Sequence, residues 1–398
     1  MSKRDWPCML VKLEDVILSL NTGLNPRMFF KLNTEDATNY YVTIREIRGG
    51  KLIFTERTDR INDEALKLCN NRSNLEVGDV LFSGTGTIGE TLVVEDEPKN
   101  WNIKEGVYTI KPNPSKLNPY YLKYLLTSDT IRAKIMRKVA GGTVKSIPMA
   151  ELRKIELPLP PLDIQRQIAD TLDKGTELID LRKKQLEKLD ELVKARFVEM
   201  FGDTILNPFG WKKDSLGAVC DVRDGTHDSP KYYETGYPLV TSKNVTGGKI
   251  ELTDCSLICE ADFNKINERS KVDIGDIIMP MIGTVGKPVI VDIEPNFAIK
   301  NVALIKFKAN SRVLSIYIRA LLQSDYFDDA ILSKVRGGTQ KFISLGDIRK
   351  LEVLVPPIEL QSQFASFVEQ TDKSKVIIQQ SLDTLETLKK SLMQEYFG

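Results

Sequence analysis

The chain is one unit written twice. GGTVKSIPMAELRKIELPLPPLDIQRQIA, from Gly141 to Ala169, returns as GGTQKFISLGDIRKLEVLVPPIELQSQFA, from Gly337 to Ala365, 196 positions later and without a gap. The register continues through Glu199, Phe201 and Gly202, which match Glu395, Phe397 and Gly398. Upstream, LEVGDVLFSGTGTIGETLVV from Leu75 pairs with VDIGDIIMPMIGTVGKPVIV from Val272, and YVTIREIRGGKL from Tyr41 pairs with PLVTSKNVTGGKI from Pro238. Trp6 followed by LEDVI answers Trp211 followed by LGAVC. Solenoid repeats run to roughly 20–50 residues. A period of 196 therefore means duplicated domains.

Each copy changes character partway. Residues 1–157 and 204–353 read mostly as short strands and turns punctuated by Gly and Pro, with a helical stretch around NPYYLKYLLTSDTIRAKIMRKV. Pro160-Pro161 and Pro356-Pro357 each open a long stretch almost free of breakers, which predicts helices over 162–201 and 358–397. Forty residues make about 60 Å of helix. Ile378, Leu382, Leu385, Lys389, Leu392 and Tyr396 follow 4-3 spacing, a coiled-coil seam with one polar interruption. Ile179, Leu186 and Val193 recur every seven residues in the first helix, flanked by Leu189, Leu192 and Phe197, with Gly175 as a local weak point. The alternative is that each helix packs only on its own domain. The expected class is α+β, in four segments: β-rich domain 1–157, helix 158–203, β-rich domain 204–353 and helix 354–398.

Several motifs invite chemistry and do not complete it. GTGTIG at 84–89 has the spacing of a dinucleotide loop, but such a loop needs a following helix to hold the pyrophosphate. ETLVVED follows instead, and the second copy keeps only G-T-x-G, so a strand–turn–strand is expected. Asn207-Pro208-Phe209-Gly210 lacks the second proline of an amino-methyltransferase motif and reads as a linker. His227, the only histidine, lies in DGTHDSP. It has no convincing nucleophile, which leaves an Asx-type turn or a polar loop facing nucleic acid. The five cysteines are scattered without a CxxC pair, so free thiols and no metal site are expected.

Composition adds little. Formal net charge is +1, which gives no general basic surface. No apolar run reaches bilayer length and the first residues lack a signal-peptide core, so no membrane contact and a cytoplasmic location are expected. Candidate DNA-contacting residues are polar side chains placed alike in both copies. They are Thr43, Arg45, Arg48 and Lys51 against Thr241, Lys243 and Asn244, with Thr226 and His227 in the DGTHDSP loop. Lys145 and Lys341 follow matching Gly-Gly-Thr turns. Arg reads guanine, Asn reads adenine and Lys suits phosphate.

Four stretches in order, GDVLFSGTGTIG, DGTHDSPKYYETGYPLVTSKNV, PLPPLDIQRQIA and VPPIELQSQFA, resemble type I restriction–modification specificity subunits along essentially the whole chain. The resemblance implies two pseudo-symmetric target-recognition domains, each reading half of a split site in double-stranded DNA. It implies antiparallel long helices that separate them and set the unread spacer. Two methyltransferase subunits dock on the helices, and two restriction subunits can join. S-adenosylmethionine and ATP belong to those partners, so this chain needs no cofactor and has no catalytic residues. Competing readings are a stand-alone DNA-binding regulator, a methyltransferase fused to its reader and a coiled-coil scaffold. The two heads diverge outside the shared frame, as TGLNPRMFFKLNTEDATNYY against DGTHDSPKYYETGYP, and different half-sites require such divergence.

Overall fold

The computed structural model describes residues 7–141, 144–281, 287–330 and 342–398. The chain forms two compact units, residues 1–183 with 380–398, and residues 184–379. The two long helices run Leu162–Phe201 and Ile358–Phe397, as the proline pairs predict, and the first passes through Gly175 unbroken. Each helix gives one part to either unit.

In the first unit a four-stranded antiparallel sheet has the order Ile17–Thr22, Val107–Pro112, Val80–Ser83, Thr91–Val93. A three-stranded sheet has Asn39–Val42 between Arg60–Ile61 and Trp101–Ile103, parallel to the latter. Met9–Lys12 pairs antiparallel with Glu156–Leu159, and Ile47–Arg48 forms a hairpin with Lys51–Leu52. The second unit repeats all four sheets. Its larger sheet runs Asp221–Asp224, Val302–Lys306, Ile277–Pro280, Val289–Ile290, and its three-stranded sheet holds Tyr237–Val240 between Ser256–Ile258 and Ala298–Ile299.

The 84–89 segment is a turn between two strands, as expected. Gly84 is required there because a Cβ would lie 2.3 Å from the Tyr108 ring. The second copy of this turn, at 282–286, falls outside the described residues. The helical stretch after Asn118 is two helices, Pro119–Thr127 and Asp129–Met136. Ser128 parts them in extended conformation, its hydroxyl donating to the Leu125 carbonyl at 2.7 Å.

Burial ties each head to its helix segments. In the first unit Leu20, Val80, Phe82, Ile110, Tyr121 and Leu125 share a core with Ile168, Leu172 and Phe397. In the second, Val222, Ile277, Ile305 and Tyr317 share one with Phe197, Phe201, Phe364 and Val368. Gln165 and Gln361, both fully buried, explain the glutamine in the P-P-x-x-x-Q pattern. The Gln165 carbonyl accepts from the Asn118 amide at 2.9 Å, and its amide donates to the carbonyls of Lys116 and Pro160. Gln361 makes the same three bonds to Leu314, Arg312 and Pro356. Each glutamine satisfies three backbone groups at the junction of head and helix, and the buried one among them, the proline carbonyl, would cost about 1–3 kcal/mol if left unpaired.

Within each unit the helix segments run antiparallel. In the first, Arg182 donates to Ser381 and Lys183 pairs with Glu386 at 2.9 Å, with Leu172 and Phe397 in one core. In the second, Lys375 pairs with Asp190 at 2.6 Å while the Phe197 and Phe364 rings lie 5.7 Å apart. The seam residues Ile378, Leu382, Leu385, Lys389, Leu392 and Tyr396 are all buried or half-buried. Leu192, at the flank of the seam, is 48% exposed. Both helices thus pack on the heads and on each other, because a 40-residue helix has length enough for both.

Candidate nucleic-acid interface

In the first unit three chain segments end at one rim. Asn39–Val42 and Trp101–Ile103 run parallel, so their carboxyl ends, Thr43 and Lys104, sit together, and the Lys104 amide donates to the Val42 carbonyl at 2.8 Å. Ile17–Thr22 leaves its sheet through Gly23 and joins them by a parallel bridge between Leu24 and Lys104. Only glycine fits at 23, since a Cβ would lie 2.1 Å from the Ile103 carbonyl oxygen.

Thr43 and Glu46 form a capping box. The Thr43 amide and hydroxyl both donate to the Glu46 carboxylate, at 2.8 and 2.7 Å. Thr43 is therefore committed to holding its turn, and Arg45 is the exposed group that the turn presents. The Arg45 guanidinium also pairs with Asp59 at 2.8 Å. Arg48 is exposed beside it, its Nε donating to the Arg45 carbonyl at 2.8 Å. Gly49 and Gly50, at φ 57° and 76°, close the hairpin that carries Lys51. Lys51 is paired with Asp180 on the first long helix. Lys145 is exposed, and its carbonyl accepts from Gly86 at 2.9 Å. Two residues before Gly86, the Gly84 amide donates to the Gly106 carbonyl at 2.8 Å.

The second unit builds the same rim. Val240 and Ile299 end parallel strands, and the Lys300 amide donates to the Val240 carbonyl at 2.9 Å. Asp221–Asp224 exits through Gly225, where a Cβ would lie 2.4 Å from the Ile299 carbonyl oxygen. Thr226 bridges to Lys300, its amide donating to Ile299 at 3.0 Å. Thr241 and Asn244 repeat the capping box. The Asn244 side-chain oxygen accepts from the Thr241 amide and hydroxyl, both at 2.9 Å. Asn244 is buried and spent on that turn, and Lys243 is its exposed group. Lys341 lies outside the described residues.

Both ring nitrogens of His227 are taken. Nε2 lies 2.8 Å from the buried Asp224 carboxylate and Nδ1 lies 2.8 Å from the Asn301 side chain. Asp224 also pairs with the exposed Arg269 guanidinium. The Lys300 ammonium donates to the Ser229 hydroxyl at 2.8 Å. The structure thus brings Thr226 and His227 to one rim with Thr241 and Lys243, and places Thr43 and Arg45 at the equivalent rim of the first unit. Sequence reading missed Lys104, Asn25, Glu105, Lys300 and Asn301. The matching glycines at the ends of Ile17–Thr22 and Asp221–Asp224 were the available signal.

Burial pushes the Cys69 and Cys220 thiols up to about 12, far from reactive range. Cys255 and Cys259 contact the Glu251 carbonyl and Asp262 respectively. Among the described residues no cluster of His, Cys, Asp and Glu is arranged to hold a metal, and no helix is long and apolar enough to cross a membrane.

The family model for the type I restriction modification DNA specificity domain matches twice, over residues 6–191 and 208–387. A putative type I restriction enzyme MjaX specificity subunit from Methanocaldococcus jannaschii is 25% identical, the match covering 98% of this chain and 92% of that protein. The EcoKI specificity subunit of Escherichia coli K12 is 22% identical over 70% of this chain and 64% of its own length. Among solved structures, the S subunit of a type I system from M. genitalium aligns with TM-score 0.60 at 16% identity, covering 99% of this chain and 97% of that one. A chain from a study of complex assembly and conformational transition of the type I R-M system aligns with TM-score 0.56 at 19% identity, covering 99% of this chain and 98% of that one.

Proposed function

Since this chain belongs to the family of type I restriction–modification specificity subunits, we propose that it reads a bipartite site in double-stranded DNA, one half with each head, and has no catalytic centre of its own. The observation that carries this reading is the rim built twice on one backbone plan, with different exposed side chains. Heads 1–157 and 204–353 read, while helices 158–203 and 354–398 set the unread spacer and dock two methyltransferase subunits, which restriction subunits can join. Exposed apolar residues on the helices support docking. These are Leu178, Leu181 and Leu388 in the first unit, and Leu192, Val376 and Ile377 in the second. S-adenosylmethionine and ATP bind those partners, and the complex works in the cytoplasm, where its DNA is.

Charge on the rims serves phosphate, and phosphate contact positions a reader without specifying sequence. Arg45, Arg48, Lys104 and Lys145 supply it in the first head, Lys243 and Lys300 in the second. The test exchanges residues 204–353 for the second head of another family member in the complex with its methyltransferase subunits. One half of the methylated motif should change while the other half and the spacer stay. A motif altered in both halves, or methyl transfer by the pure chain alone, defeats the reading.

A further inference from the structure

Each rim holds one side-chain pair at the same structural place. In the first head the loop after Gly23 places Asn25, whose amide donates to the Glu105 carboxylate at 2.6 Å. In the second the loop after Gly225 places His227 against Asn301 at 2.8 Å. Leu24–Lys104 and Thr226–Lys300 are equivalent parallel bridges, so the residues following them, Asn25 with Glu105 and His227 with Asn301, fall in register. The backbone beneath is fixed by the same glycine contact in both heads, and the chemistry above it is different. Glu105 and His227 are exposed, Asn25 and Asn301 half-exposed.

We propose that these two pairs are base-reading positions, Asn25·Glu105 for one half-site and His227·Asn301 for the other. The proposal rests on the two-reader function above and names where each head reads.

The hydrogen-bond inventory says what each pair can recognise. Asn25 Oδ1 accepts from the Arg27 amide at 3.1 Å and its Nδ2 donates to Glu105, so Asn25 is a fixed support. Glu105 is left with a free carboxylate oxygen, an acceptor only. It suits an exocyclic amino group in the major groove, and cytosine N4 is the usual partner of a glutamate. In the second head Asp224 only accepts, so His227 Nε2–H donates to it. His227 Nδ1 faces the Asn301 Oδ1 at 2.8 Å, so the ring engages one lone pair of that carbonyl oxygen. Asn301 keeps its amide N–H groups and the second lone pair of its carbonyl oxygen, the donor–acceptor pair that matches adenine N7 and N6. His227 and Asp224 act here as supports for Asn301, as Asn25 does for Glu105.

The test uses the complete chain in complex with its methyltransferase subunits. Methylation rates are measured on a panel of duplexes in which every position of the motif is changed in turn. Glu105→Ala should lower the preference at one position of one half-site, a cytosine, by roughly 5- to 100-fold. Asn301→Ala should do the same at one adenine of the other half. Both should leave every other position as in the wild type. Unchanged preferences in both variants overturn the proposal, and so does a loss spread over both halves. Where an alanine variant methylates nothing, Glu105→Gln or Asn301→Asp decides the matter. A shifted preference at that one position supports the proposal, and wild-type preference or a second complete loss overturns it. If the wild-type motif is bipartite and the head exchange moves one half only, a negative result here removes the pairs and leaves the two-reader function standing. A wild-type motif without two halves removes the function itself.

Discussion

The two heads are alike where they are buried and unlike where they are exposed. Tyr121 and Tyr317 are both buried, and their hydroxyls donate to the equivalent carbonyls of Pro158 and Leu354 at 2.8 and 2.9 Å. Lys111 pairs with buried Asp79 and exposed Glu76, and Lys306 pairs likewise with buried Asp276 and exposed Asp273. Gln165 and Gln361 make identical triads of bonds. At the rims, by contrast, Arg45 is tied to Asp59 while the equivalent Lys243 is simply exposed, and Asn25·Glu105 stands where His227·Asn301 stands. A buried polar group costs heavily once its partner is lost, so duplication preserved these sets. Above a backbone already positioned by glycine and main-chain bonds, side chains can diverge without loss of fold.

The largest effect expected is from the buried ion pairs. Lys306→Met leaves Asp276 buried without its ammonium and should destabilise the second unit by about 3–5 kcal/mol. Lys111→Met should do the same in the first. Hydrogen exchange should confine each loss to its own unit, and unequal or shared losses would break the equivalence. Burial pushes both the Asp79 and Asp276 carboxyls up, with the lysine ammonium opposing. Removing the ammonium raises the carboxyl further. A carboxyl with a raised folded value favours the folded state at low pH. The deficit of Lys306→Met should therefore be full at neutral pH and shrink as pH falls toward the ordinary carboxylate range near ~4. Urea midpoints across pH 4 to 8 check this sign.

Next comes the glutamine clasp. Gln361→Leu strands the Leu314 amide and two carbonyls, a loss on the order of 3 kcal/mol in the second unit, and Gln165→Leu should match it in the first. Thermal melts of both variants compare the two junctions.

The helix seams differ in a smaller way. Lys389 is half-buried in the first unit, 5.8 Å from the Tyr124 ring centroid, and burial holds its ammonium below the usual lysine value, with Lys123 repelling it. Lys375 in the second unit is paired with Asp190 and Asp372, at 2.6 and 3.5 Å. Lys389→Leu should stabilise by about 1 kcal/mol, as expected when a poorly paired half-buried charge gives way to an apolar side chain. Lys375→Leu should cost at most about 1 kcal/mol, because Asp190 stays solvated. Melting temperatures should therefore move in opposite directions. A polar residue in a seam trades stability for register, the role Lys389 fits.

The smallest effect on stability belongs to the rim. Lys243→Ala should leave folding within about 0.5 kcal/mol. It should weaken DNA binding evenly across sequences and lower the salt slope by about 0.9 if its contact is a phosphate. A loss confined to particular sequences would move Lys243 into the base-reading set. Binding titrations of the assembled complex at several salt concentrations separate the two.

Much of this molecule could be read from the sequence because its signals are local or repeated. The proline pairs fix where both long helices begin, since proline is accepted in a first turn and rejected further in. The ungapped repeat from Gly141 and Gly337 sets the duplication, and the heptads set which helix faces meet. Among the rim candidates, Arg45 and Lys243 are exposed charges. Residue type could not show that Thr43, Thr241 and Asn244 are spent on capping their own turns, or that Lys51 is paired with Asp180. Nor could it show that Asn25 meets Glu105 across 80 residues, or His227 meets Asn301 across 74. Those meetings depend on parallel strands that bring distant chain segments to one end of a sheet. Periodicity reports which face of an element is apolar, while the partner across a loop is set by how the sheets close, which is decided only when the whole head packs.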